Sequence, residues 1–249
     1  SGGVRQTPWS EGQNVRHLEP MGFIKYDLLG LATLKMMEGC IEHILKRHKG
    51  IEEPTFGDIK EFYDKNLHPD IIDLKDAKVY KNVFHNGNWS GTFQFTEDGA
   101  QKFCVRVKPD SIIDVAAITS TYRPGPLAAG VHEDYVDAKA SPHRIEYLNN
   151  DHREITEETF GFLIFQEQIA LLAHKLGGLT LDEGNLLRKI LTKKGTGKDD
   201  KRSRLRAKFV SGCVKNKIPE SKAIALWNKF VYFSGYGFNK SHAVAYSMI

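Results

Sequence analysis

The sequence predicts a mainly α-helical protein with a few short β-strands, an α+β class, and three observations carry that expectation. Apolar residues recur at helical spacing over several stretches and seldom alternate strictly. Side chains that cap helices stand ahead of those stretches, as Thr55 and Thr180 do, and glycines such as Gly50 and Gly177 stand behind them. Gly- and Pro-rich breaks divide the chain into pieces of ordinary helix length.

The elements follow in order. Residues 1–20 are polar and Gly-rich with no apolar period, and read as loop. Met21–Asp27 reads as a short, largely buried strand ending on a carboxylate. From Leu29 to His48, the residues Leu31, Leu34, Met37, Ile41, Ile44 and Leu45 keep a helical period that Gly50 closes. Thr55, with Asp58 three residues on, caps a second short helix. Helices are expected near Glu97–Phe103 and Asp110–Thr119, ahead of a hard turn, Arg123-Pro124-Gly125-Pro126, that no helix crosses. Gly161–Phe165 is either a strand or the entry to the apolar helix Gln166–Leu176, which Gly177-Gly178 ends. Thr180 and Glu183 form a capping box for the helix carrying Arg188 and Lys189. Lys193–Lys201 reads as a polar loop, Pro219 as the first helical residue of Glu220–Phe233, and Asn239 as the opening of a last helix.

Composition is that of a soluble globular chain, 41% hydrophobic and 27% charged over 249 residues. No apolar run approaches the roughly 18–20 residues of a membrane span, and the first residues carry no leader pattern, so no membrane partner is expected. Three scattered cysteines argue against a disulfide framework and for a reducing, cytoplasmic setting. Cys40, His43 and His48 lie close in sequence but lack the second ligand pair of a structural zinc site. Charge is uneven. Between Arg188 and Lys222 stand 13 Lys and Arg against three acids, a local +10 that leaves about −6 elsewhere. Such a stripe suits a polyanion, although a solvated helix face with a basic loop explains it equally.

Four stretches have residue types suited to phosphate chemistry. Asp27 ends its strand and shares a face with Lys25; two-metal phosphoryl transfer needs several clustered carboxylates, and no Asp-x-Asp strand occurs in the chain. On the helix Asn185–Lys194, Arg188 and Thr192 are one turn apart, as are Lys189 and Lys193, so a guanidinium fork and an ammonium can bracket a triphosphate. Gly235–Ala243 runs from a Gly-punctuated turn into a helix start, where backbone N–H groups, Lys240 and the aromatic faces of Tyr236 or Phe238 suit a nucleotide. Tyr122–Pro126 holds Arg123 on a backbone stiffened by two prolines. Each also has a plain structural reading as a cap, a solvated face or a tight turn.

Together these stretches, with Gly91-Thr92-Phe93-Gln94-Phe95 and Phe165-Gln166-Glu167-Gln168, follow an order that resembles the bacterial-type C-family replicative DNA polymerase III alpha subunits. The resemblance covers Leu18 to Ile249, and six weak motifs in one order make a specific match. It implies a helical fingers domain, residues 32–249, attached to the edge of a mixed α/β palm, residues 1–31. It implies that Asp27 ligates catalytic Mg²⁺ and that Lys25 neutralises charge near the reacting phosphates. Arg188 and Lys189 would grip the incoming dNTP, Asn239, Lys240 and His242 would line the nucleotide pocket, and Arg123 would add a phosphate or template contact.

The implied activity is DNA-directed DNA polymerisation within a larger or split enzyme, the chain alone being inactive. Its partners would be primer–template DNA, dNTP, and the remaining polymerase domains or a complementary chain with the other palm aspartates. A sliding clamp would be reached through regions absent here. Lys189 where the family carries a second arginine, Thr192 where it carries glycine, and Leu28 where it carries an aromatic suggest a divergent or phage copy. The alternative is a non-catalytic helical module that binds DNA through the basic 188–222 stripe.

Overall fold

The computed structural model describes residues 21–22, 30–128, 130–192, 199–233 and 237–249. It divides into two compact units, Ser1–Glu52 and Glu53–Ile249. Most of the strand expected at Met21–Asp27, with Lys25 and Asp27 themselves, lies outside the described residues.

In the first unit, α1 (Ala32–Lys49) buries Ile41 and Leu45, one helical turn apart. Gly50 ends it in the left-handed region at φ 68°, donating its N–H to the Leu45 carbonyl. Four basic residues in the last turn, Lys46 to Lys49, sit favourably at the negative end of the helix dipole.

The second unit opens with α2 (Phe56–Asn66), where Thr55 and Asp58 form the expected reciprocal capping box. A short helical turn, Ala77–Val79, widens into a π-helical turn, Tyr80–His85, that buries Tyr80 and Phe84. These rings join Phe95, Phe103, Cys104, Val107, Val115, Ile118 and Tyr135 in one apolar core. That core is framed by α3 (Asp98–Val107), α4 (Ile112–Thr121) and α5 (Val131–Ala140). Asp114 of α4 is buried within it, accepting from Tyr135 Oη at 3.0 Å and Lys139 Nζ at 2.6 Å. Burial pushes its carboxyl upward, but the Lys139 ammonium and the Asp110 N–H outweigh this and hold it below the ordinary carboxylate value.

At Arg123–Pro126 no helix crosses, as the prolines require, yet the turn differs from the tight one expected. Pro124 opens a five-residue helix, Pro124–Ala128. A proline is tolerated there because the first-turn N–H has no intrahelical acceptor to lose.

A second core gathers α7 (Gln166–Lys175), α8 (Leu181–Thr192), α9 (Asp199–Lys215) and α10 (Glu220–Phe233) around Leu172, Leu176, Leu187, Phe209, Trp227 and Phe230. Helix α6 (Asn150–Thr156), capped by Asn149, packs beside α7. Along α9, Leu205, Phe209 and Cys213 are buried every fourth residue, while Lys201, Arg204, Lys208 and Lys215 face water. Helix α9 already begins at Asp199, so Asp199–Lys201 is helical rather than loop. Pro219 stands one residue outside α10, its carbonyl accepting from the Lys222 and Ala223 N–H groups.

The described residues form no β-strand. A single parallel bridge, Phe165 to Phe238, is the β-pairing found among them, and it does not bear on the strand expected at Met21–Asp27. The reason is local: both chains turn into helices within two residues of the bridge, at Gln166 and at Lys240, which opens α11 (Lys240–Ser247). Gly161–Phe165 is therefore the entry to α7. Gln168 secures that entry from a fully satisfied buried amide: it accepts from Ile164 N and Phe165 N at 2.9 and 3.0 Å, and donates to Thr159 Oγ1 at 2.8 Å and to the Ile155 carbonyl at 3.2 Å.

His152 on α6 gives this unit a pH signature. It is 8% exposed, and its Nδ1 accepts from the Leu148 N–H at 3.4 Å. Burial, with a smaller repulsion from Lys229, lowers its pKa from 6.5 to about 4. An unfolded chain therefore takes up a proton below pH 6.5 that the folded one refuses, and stability is lost as pH falls from 6.5 towards 4. Between pH 7 and 5 this group alone is expected to cost about 2 kcal/mol. Urea unfolding at the two pH values checks it, and His152→Leu should remove that part of the slope.

Candidate functional site

The Phe165–Phe238 bridge sets the starts of α7 and α11 side by side. The Phe238 N–H donates to the Ile164 carbonyl at 3.1 Å, and the Gln166 N–H to the Phe238 carbonyl at 2.8 Å. Helix α8 reaches the same point because it packs tightly on α7. A Cβ on Gly184 would lie 2.8 Å from the Ala170 carbonyl oxygen, so only glycine admits this approach. Arg188, one turn further along α8, donates from Nη1 to Gln166 Oε1 at 2.7 Å. Lys189 follows it, exposed.

Around the start of α11 every named side chain has a specific contact. Asn239 caps the helix, its Oδ1 accepting from His242 N at 2.8 Å and from Ser241 Oγ at 2.7 Å. Its Nδ2 donates to Glu167 Oε1 at 2.7 Å, and the Lys240 N–H donates to Glu167 Oε2 at 3.0 Å. The Lys240 ammonium bridges both oxygens of Glu158 at 2.7 Å. A negative group at this helix start suits the dipole, and Glu167 supplies it from within the protein.

Arg123 arrives from the α4 corner. Its guanidinium lies 4.8 Å from the centroid of the Phe238 ring, a cation–π contact. His242 stands between Phe238, at 5.4 Å, and Tyr246, at 4.1 Å between ring centroids. Arg123, Phe238, His242 and Tyr246 line a cavity of about 290 Å³ together with Gln94 and Tyr122. Gln94 adopts the left-handed backbone region at φ 66°, which costs a non-glycine residue on the order of 1 kcal/mol or more and recurs at ligand sites.

Arg188, Asn239, Lys240, His242 and Arg123, which are spread over three separated segments, thus meet around one bridge. Asp27 and Lys25 lie outside the described residues. Among the described residues no three His, Cys, Asp or Glu side chains gather closely enough to hold a metal ion, so no metal step can be built from them. The structure adds Gln166, Glu167 and Glu158. The first two stand inside a motif the sequence singles out, but their role depends on partners far along the chain; Glu158 has no local signal.

These features define a helical domain in which cationic and amide side chains gather at two paired helix starts, and comparison with known proteins places it. Residues 34–217 match the family model of the bacterial DNA polymerase III alpha subunit finger domain, and the chain belongs to that family. Among its relatives, the DNA polymerase III subunit alpha of Campylobacter jejuni is 35% identical over 94% of this chain and 18% of its own length. That of Aquifex aeolicus is 36% identical over 93% of this chain and 18% of its own. That of Bacillus subtilis is 34% identical over 94% and 19%. The chain therefore spans about a fifth of the length of the curated relatives it matches.

Proposed function

We propose that the full protein is a replicative DNA-directed DNA polymerase in which the junction of α7, α8 and α11 binds the triphosphate of the incoming dNTP. The observation that supports this most is the convergence of Arg188, Asn239, Lys240 and Arg123 on the Phe165–Phe238 bridge. A guanidinium matches phosphate oxygens with a planar fork of N–H donors, and rings nearby offer a surface for a base.

On this reading residues 1–31 are the edge of a palm and residues 32–249 the fingers. Asp27 is a Mg²⁺ ligand and Lys25 a neutralising charge; both assignments rest on the sequence resemblance. Bound Mg²⁺ would supply charge neutralisation at the phosphates. The protein would work in the cytoplasm on primer–template DNA, with the remaining polymerase domains.

One observation favours the second reading, a helical DNA-binding module. Lys201, Arg204 and Lys215 of α9 are exposed on one helix that carries few acids. Within a polymerase the same face would meet DNA phosphates without reading sequence.

Arg188→Ala in the full protein separates the two. For a triphosphate site it should weaken Mg·dNTP binding on primer–template by about 30-fold, the worth of roughly 2 kcal/mol of charge-assisted hydrogen bonds. Affinity for the primer–template itself should change by less than about twofold. Unchanged dNTP affinity with a shallower salt dependence of DNA binding would instead support the module.

A further inference from the structure

Three of the proposed substrate-binding residues are held by two neighbours, Gln166 and Glu167, that carry no role in the reading above. The chemistry of each neighbour matches its partners. Gln166 Nε2 donates to the Gly237 carbonyl at 2.7 Å, which turns Oε1 toward Arg188 and leaves it as the acceptor. A carboxylate could not make the first bond, and a lysine could not make the second. Glu167 is acceptor-only and faces two donors, Asn239 Nδ2 and the Lys240 N–H, one on each oxygen. Both residues sit in the first turn of α7, fixed by the Gln166 N–H bond to Phe238 and by the buried amide of Gln168 beneath.

We infer that Gln166 and Glu167 are positioning residues that couple Arg188 on α8 to the Asn239–Lys240 turn, so that the contacts to the triphosphate are set as one unit. The inference rests on the dNTP site proposed above. Neither residue needs to touch substrate. Gln166 aims the guanidinium by one bond and fixes the turn that carries Asn239 by another. A rigid link of this kind lowers the ordering cost that the nucleotide would otherwise meet on binding.

The test is single-nucleotide incorporation by the full protein, with dNTP affinity and melting temperature measured on the same preparations. Gln166→Ala should raise the KM for dNTP by about tenfold and change kcat by less than about threefold, since the lost aim weakens binding more than chemistry. Its melting temperature should stay within about 2 °C, because the site is half-exposed and the change removes no core contact. In an Arg188→Ala background the same substitution should add less than about threefold, since the part of its effect that passes through that guanidinium is already lost and only the Gly237 bond is left to remove. Glu167→Gln, which sets an amide N–H against one of two donors, should raise KM for all four dNTPs alike by about fivefold.

Multiplicative losses in the Gln166/Arg188 double variant would overturn the coupling, as would an unchanged KM in either single variant. Should Gln166→Ala fold poorly, Gln166→Glu keeps the acceptor for Arg188 and loses only the Gly237 bond. It should then show a smaller rise in KM, and no rise overturns the proposal. An undiminished dNTP affinity in Arg188→Ala alone would count against the nucleotide site itself, whatever Gln166 does.

Discussion

Replacing Lys139 by methionine is expected to cost about 3–5 kcal/mol of stability at pH 7, the range for a buried ion pair that loses one partner. Asp114 is 2% exposed, and Lys139, 2.6 Å away, is its only cationic contact among the described residues. Methionine keeps the length of the stem and its packing near Phe160, whose ring lies 5.3 Å from the ammonium. What it removes is the charge that offsets burial of the carboxylate. The Tyr135 hydroxyl and the Asp110 N–H remain as donors, at 3.0 Å each, but neither carries a positive charge.

The pH dependence should invert with the substitution. In the native protein the Asp114 carboxyl is held below its ordinary value, so its contribution is present above the unfolded pKa and is lost as pH falls through the folded one. Without Lys139, burial acts unopposed by any cation among the described residues and raises the folded pKa. The penalty should then be smaller near pH 4, where the folded acid is protonated and the unfolded one about half so, and grow as pH rises toward 7. Urea unfolding at pH 4 and 7 tests this. The double variant Asp114→Asn with Lys139→Met should recover part of the loss, because no buried charge is left unpaired. A penalty independent of pH, or a double variant no better than the single one, would mean that the pair acts only through packing.

Gly212→Ala is expected to destabilise the second core by about 3 kcal/mol, against the direction that helix propensity predicts. Glycine inside a helix is worth roughly 0.5–1 kcal/mol less than alanine, so propensity alone favours the change. The packing argument is larger. A Cβ at Gly212 would lie 1.8 Å from the Gly177 carbonyl oxygen and 2.4 Å from its carbon, both backbone atoms that cannot rotate away. Helix α9 would have to lift from the turn that ends α7. That would loosen Phe209, which in turn lies 2.2 Å from where a Cβ on Gly177 would fall. Overpacking of this kind costs about 1–3 kcal/mol and more where backbone must move. Trp227, 5.7 Å from Phe209 between ring centroids, provides a fluorescence signal for the unfolding measurement. Stability equal to or above that of the native protein would show that α9 shifts without loss.

The two glycines show why parts of the fold were legible in sequence and parts were not. Helix α1 and its Gly50 stop, the Thr55 and Thr180 caps, and the Asn239 cap were readable because every group involved lies within a turn or two of its partner. Local hydrogen bonding of that kind depends on residue type and spacing alone. Gly212 and Gly177 look like a helix interior and a helix stop, and nothing in either neighbourhood announces that one backbone rests on the other. The strands were overestimated for a related reason. Gly161–Phe165 can read as a strand, but pairing needs a partner, and both Phe165 and its partner Phe238 lead into helices almost at once.

The candidate site divides the same way. Arg188, Lys189, Asn239, Lys240, His242 and Arg123 could be named from residue type and order, because charge, caps and glycines are properties of a short stretch. Their partners could not. Gln166 meets Gly237 across 71 residues, Glu167 meets Asn239 across 72, and Glu158 meets Lys240 across 82. Contacts over such separations are set by how α7, α8 and α11 pack, through close approaches such as Gly184 on Ala170. Sequence by itself determined the mainly helical class and the family, and it nominated the donors of the candidate site. Tertiary structure alone decided which acceptors hold those donors, because only packing brings together groups that no local period relates.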